Sequence, residues 1–182
     1  MVKIIKDNTL IISGKLCEDD NILDYISDNI TKIEFDECDS SNINSMNFKL
    51  APDSSVKEII SNASSVFDNV SSFDYVLCDC RSIVNIYMPK LDLPSLMSAR
   101  YGFAGCENLK EVRFDSLKTS FYWNGMGLFK NCINLEFVWM PQVDFDLSDS
   151  IDVGCKYIHE KYKFDNYYEL MFKMLRDREF KL

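Results

Sequence analysis

The sequence predicts an α/β, β-rich fold: a short right-handed solenoid of parallel strands, closed by an N-terminal hairpin and a C-terminal helix. Three observations predict it. Apolar residues recur at a fixed period of 26 to 27 residues, cysteines mark three of the copies at that period, and an amphipathic stretch follows the last copy. A repeat of this length is one supersecondary unit that cannot bury its apolar face alone, so copies must stack.

The clearest copies are marked by Cys80, Cys106 and Cys132, each 26 residues apart. Aligned on them, the first reads Cys80, Ile83, Ile86, Met88. The second reads Cys106, Leu109, Val112, Phe114, and the third Cys132, Leu135, Val138, Met140. Leu77, Phe103 and Phe129 precede the cysteines by three positions, and Pro89 and Pro141 follow two of the strands. The period continues backwards through Val56 and Ile59 to Ile30 and Ile33. The ladder Ile33, Ile59, Ile86, Val112, Val138 therefore has steps of 26, 27, 26 and 26. Stacked strands lie about 4.8 Å apart, so this ladder becomes a continuous core. Gly102, Gly105, Gly125 and Gly127 fall in the return segments, where tight turns are required.

The segments Phe103-Ala-Gly-Cys-Glu-Asn-Leu-Lys-Glu-Val-Arg-Phe and Phe129-Lys-Asn-Cys-Ile-Asn-Leu-Glu-Phe-Val-Trp-Met-Pro resemble BspA-type leucine-rich repeats. The match is clear over residues 77–141. Asn8-Thr-Leu-Ile-Ile-Ser-Gly resembles the hairpin that often precedes such arrays. The resemblance implies a curved solenoid used for adhesion or other protein contacts, and many members of that family are secreted surface proteins.

One domain of 182 residues is expected: an N-terminal cap over 1–28, about five to six repeats over 29–164, and a helical cap over 165–182. Lys3–Ser13 reads as one or two strands around Asp7-Asn8. Asp20–Asp28 reads as a short helix. Asn166 with Glu169 resembles a capping box, after which Tyr167, Leu170, Met171, Met174 and Leu175 share one helical face. Ile158, Tyr162 and Phe164 offer one more strand. The Ser-, Asn- and Asp-rich stretches Asp36–Asn47 and Ser61–Asp74 read as loops.

Function is less legible. The net charge of −9 argues against a broad phosphate-binding face. No stretch is long and apolar enough to span a bilayer. The opening Met1–Asp7 is too short and charged for a signal peptide, and seven cysteines are an odd number. Both favour free thiols and a cytoplasmic protein, with an extracellular surface location as the alternative. The stacked cysteines suggest packing rather than zinc, which needs paired ligands at short spacing. His159 is the sole histidine and no nucleophile, phosphate-loop or dinucleotide motif accompanies it. The expectation is a non-enzyme without cofactor or metal.

Period-two alternation places the outward strand residues on the concave face of the predicted solenoid. They are Lys32 and Glu34, Glu58 and Ile60, Asn85 and Tyr87, Glu111 and Arg113, Phe137 and Trp139. From these, Tyr87, Glu111, Arg113, Phe137 and Trp139 form the expected contact patch, since Trp, Tyr and Arg dominate interface hot spots. The competing reading has the C-terminal cap fold over Phe137 and Trp139. A second cluster, Phe121-Tyr122-Trp123, reads as partial core. The expected function is a protein-interaction module, in a sharper form an acidic inhibitor or effector that docks a cellular complex. Its partner would be a protein, basic or nucleic-acid-handling in the sharper form, with no direct binding of nucleic acid or membrane. A surface adhesin and an enzyme with an unrecognised site are the alternatives.

Overall fold

The structure, a computed structural model, describes residues 1–16, 26–39, 50, 54–61, 65–66, 69–115, 117, 124–140 and 157–158. Among them are ten strands and no helix. Strands β1 (Val2–Lys6) and β2 (Thr9–Lys15) form an antiparallel hairpin in which Lys6 faces Thr9. The two-residue turn between them holds Asp7 and Asn8 at φ 48° and 63°. This is the mirror-image turn whose twist suits a hairpin, and Asp and Asn tolerate it better than most residues.

Every later pairing is parallel. β2 continues into β3 (Lys32–Asp39), β4 (Glu58–Ser61), β6 (Asn85–Tyr87), β8 (Glu111–Arg113), β9 (Phe137–Trp139) and β10 (Tyr157–Ile158). The register puts Leu10 beside Ile33, then Ile59, Ile86, Val112, Val138 and Ile158. The ladder read from the period is thus a buried row of the sheet, which Leu10 extends at its N-terminal end. Ile30, Val56, Ile83, Leu109 and Leu135 form a second buried row beneath it. The fold is therefore a β-solenoid, one main strand per coil.

The coils are also bonded through their return segments. The amide of Leu77 donates to Gly102 O at 2.7 Å, and that of Phe103 to Leu128 O at 2.9 Å. Asp79 N donates to Ala104 O at 2.7 Å and Gly105 N to Lys130 O at 2.8 Å. Two rows of left-handed residues make these turns. Asp79, Gly105 and Asn131 have φ of 62°, 74° and 60°, while Tyr75, Tyr101 and Gly127 have 56°, 52° and 64°. The first row uses residues that tolerate this conformation; the tyrosines of the second do not, and they stack on each other with centroids 5.5 Å apart. Gly127 completes that row because a Cβ there would lie 2.5 Å from the Tyr101 ring.

Two expectations are corrected. The stretch from Asp36 is not all loop: β3 runs to Asp39, with a bulge where Glu37 adopts φ 44°. Within Ser61–Asp74, Ser61 ends β4 and β5 (Ser65–Val66) pairs with both β3 and β7 (Leu91–Asp92). Ser72 bridges to Ser98, and Ser98 to Asn124. Side-chain polarity marks these segments as loops, yet stacking satisfies their backbone groups whatever the side chain. Residues 26–28 are not helical. The remainder of the short helix expected over 20–28, the capping helix over 165–182, Tyr162, Phe164, Phe121–Trp123 and His159 lie outside the described residues. Among the described residues no helix is long and apolar enough to cross a membrane.

Candidate functional site

The cysteine rows carry a local chemistry that decides their role. Cys106 Sγ donates to Leu77 O at 3.1 Å and Cys132 Sγ to Phe103 O at 3.0 Å. Cys80 Sγ reaches Leu50 O at 3.6 Å. Each thiol thus serves the carbonyl of the residue three positions before the preceding coil's cysteine position. Two residues further on, Asn108 Nδ2 donates to Arg81 O at 2.9 Å and Asn134 Nδ2 to Glu107 O at 2.7 Å. Burial pushes the thiol of Cys38 up to about 11 and that of Cys80 to about 12, and raises Cys106 further. Such thiols stay protonated and are poor nucleophiles and ligands. Among the described residues no three His, Cys, Asp or Glu side chains converge as a metal site requires.

The outward face of the sheet is a different surface. Its strands show the alternation expected of one buried and one open side: Ile59, Ile86 and Val112 are buried while Glu58 and Glu111 are exposed. Two outward rows result. One runs Lys32, Glu58, Asn85, Glu111, Phe137; the other runs Glu34, Ile60, Tyr87, Arg113, Trp139. At the N-terminal end Lys32 pairs with Glu34 at 3.6 Å.

At the middle, Arg113 is held on two sides. Its Nε donates to Asp115 Oδ1 at 2.8 Å and its Nη2 to Asp115 Oδ2 at 2.6 Å, a two-pronged bond that fixes the guanidinium plane. Its Cζ lies 5.0 Å from the centroid of Tyr87, within the range of a cation–π contact. Tyr87, Arg113 and Asp115 are all half-buried, with Ile60 half-buried beside Tyr87. The arrangement joins apolar area to a fixed planar charge, and the paired guanidinium has little side-chain freedom left.

The structure brings Tyr87 and Arg113 together and leaves Glu111 exposed beside them. Phe137 and Trp139, the other two residues of the expected patch, are only 4% and 6% exposed. They are not open surface in this structure, and the C-terminal cap expected to cover them in the competing reading lies outside the described residues. Asp115 is the site residue that sequence reasoning missed. The signal was present, since it lies two positions past Arg113 and so on the same side of an extended chain. No family model matches the chain, and no curated protein or solved structure matches it either.

Proposed function

We propose that the chain is a non-enzymatic protein-interaction module that docks a protein partner on the outward face of its sheet. The observation that carries this reading is the Tyr87–Arg113–Asp115 cluster: a half-exposed aromatic–arginine unit, held by a two-pronged ion pair, near the middle of the outward face. Tyr and Arg are the residue types most often found at the energetic centre of interfaces. The repeat pattern of residues 77–141 supports a finer reading, that the solenoid is a leucine-rich repeat of the BspA-like kind. The acidic balance of −9 supports a basic partner, and hence an inhibitor or effector of a basic protein complex.

The test is affinity capture with the intact chain from its own cell lysate, run beside Tyr87→Ala and Arg113→Ala. Both variants should keep the wild-type unfolding transition and lose a protein that the wild type retains. Binding of that protein should weaken as salt is raised. An identical set of captured proteins from all three chains overturns the assignment to this face.

A further inference from the structure

The hairpin that opens the sheet leaves β1 as an edge strand, and the phase of its backbone follows from its neighbours. Asn8 O accepts from Thr31 N and Lys32 N at the start of β3, at 2.9 and 3.3 Å. The peptide that aims this carbonyl at β3 aims Thr9 N–H the opposite way, at β1. Thr9, Ile11 and Ser13 therefore bond β1, through their partners Lys6, Ile4 and Val2. Alternation turns the N–H and C=O of Ile5 away from β2, to the side where the described strands place no neighbour.

The apolar side chains of this edge are also open. Ile4 is 53% and Ile5 56% exposed, one on each face of the sheet. Their β2 partners Ile11 and Leu10 are half-buried and buried. β1 contains no proline, and its pairing with β2 has no bulge, so two common edge defences are not used. Lys3 and Lys6 are the guard that remains.

Those lysines restrict pairing at this edge without forbidding it. Two copies of β1 related by a twofold axis through the sheet run antiparallel with like faces on the same side, so each residue meets one of its own parity. Centred on Lys3, the pairing would set lysine on lysine, which is destabilising. Centred on Ile5, it would bring the left-handed turn residue Asp7 opposite Lys3 and shorten the overlap. Centred on Ile4, the strands overlap along their whole length. Ile4 then meets Ile4, each Lys3 meets Ile5, and each Lys6 meets Val2.

We infer that β1 is a self-pairing edge, through which two copies of this chain join their sheets antiparallel about Ile4. The occupant is a second copy because this register sets isoleucine on isoleucine and no charge opposite a like charge. One strand edge covers much less than the about 800 Å² per partner of a standard interface, so the pairing is weak and reversible. Each copy carries a net charge of −9, so added salt strengthens it. That is the reverse of the dependence expected for a basic partner, and the inference does not rest on the docking role proposed above.

Sedimentation equilibrium of the full chain, up to about 1 mM, should show a monomer–dimer equilibrium that tightens with salt. Ile5→Pro removes an N–H that β2 does not use, so the hairpin stays, and dimerisation should weaken by about tenfold or more. Ile4→Cys sets two thiols at an unbonded cross-strand pair with Cα atoms about 4.5 Å apart, within disulfide reach. Mild oxidation of that variant should link two copies through position 4, as peptide mapping would show. A chain that stays monomeric at every concentration overturns the inference, as does a folded Ile5→Pro chain that dimerises like the wild type. So does an oxidised Ile4→Cys chain with no link through position 4. Should Ile5→Pro fail to fold, the cross-link map decides.

Discussion

Replacing Cys106 tests whether the cysteine row is apolar filler or a row of hydrogen-bond donors. The side chain is fully buried and its thiol lies 3.1 Å from Leu77 O. In Cys106→Ala the lost sulfur burial costs about 1 kcal/mol, as for a methylene or slightly more. The void, roughly 20 Å³, adds about 0.5 kcal/mol. Leu77 O keeps a second bond, from Cys80 N at 3.1 Å, so it is not orphaned. The lost thiol bond is therefore at the weak end, about 0.5 kcal/mol. The total is about 2 kcal/mol. Cys106→Ser loses the sulfur but keeps a donor, drawn back by a few tenths of an ångström, and should cost about 1 kcal/mol. Midpoints of urea unfolding at unchanged slope measure both. If the thiol were filler only, the buried hydroxyl would lack a partner and Ser would be worse than Ala by about 1–3 kcal/mol. That order, Ser below Ala, would refute the reasoning.

Alkaline pH should destabilise the fold through the same thiols. Their folded values are raised by burial above 9.0, so their contribution is full below about pH 9 and is lost as pH rises towards the values of about 11 and 12 at Cys38 and Cys80. With Cys106 included, three thiols ionise only on unfolding in that window, a slope of up to about 4 kcal/mol per pH unit. Urea midpoints between pH 8 and 11 measure it, and Cys106→Ser should shallow the slope. Gly127→Ala forces a Cβ to 2.5 Å from the Tyr101 ring at φ 64°, and should cost about 2–3 kcal/mol. In a Tyr101→Ala background the added cost should fall to about 1 kcal/mol, the backbone part alone, as a double-mutant cycle would show. Glu107→Gln breaks the exposed pair with Arg81, 3.3 Å apart, and should move the urea midpoint by less than about 0.5 kcal/mol equivalent.

The central row of the sheet was legible because a solenoid repeats its apolar positions once per coil, and burial selects Ile and Val there regardless of neighbours. Ile33, Ile59, Ile86, Val112 and Val138 stand in direct register as the period requires. The turn rows were harder. Tyr75, Tyr101 and Gly127 share a backbone conformation but no side-chain class, so a reading based on side chains passes over them. Asp79, Gly105 and Asn131 did carry a signal, being the types that tolerate a left-handed residue. The asparagines two positions after Cys106 and Cys132 were equally visible, and their carbonyl partners follow from the coil spacing. For the site, alternation told which way Phe137 and Trp139 point. It carries no information on what lies above a face, so their burial came only with the structure.

The return segments bond coil to coil through backbone groups at a constant offset, as from Leu77 to Gly102 and from Phe103 to Leu128. Such a lattice is indifferent to how many layers it contains. A duplication that copies residues 77–102 once, inserted after Gly102, would meet matching donors and acceptors above and below. It would lengthen the outward face by about 4.8 Å without shifting any row. The length of the outward face is therefore a quantity that gene duplication can change in whole steps, while point substitution tunes only what each step presents.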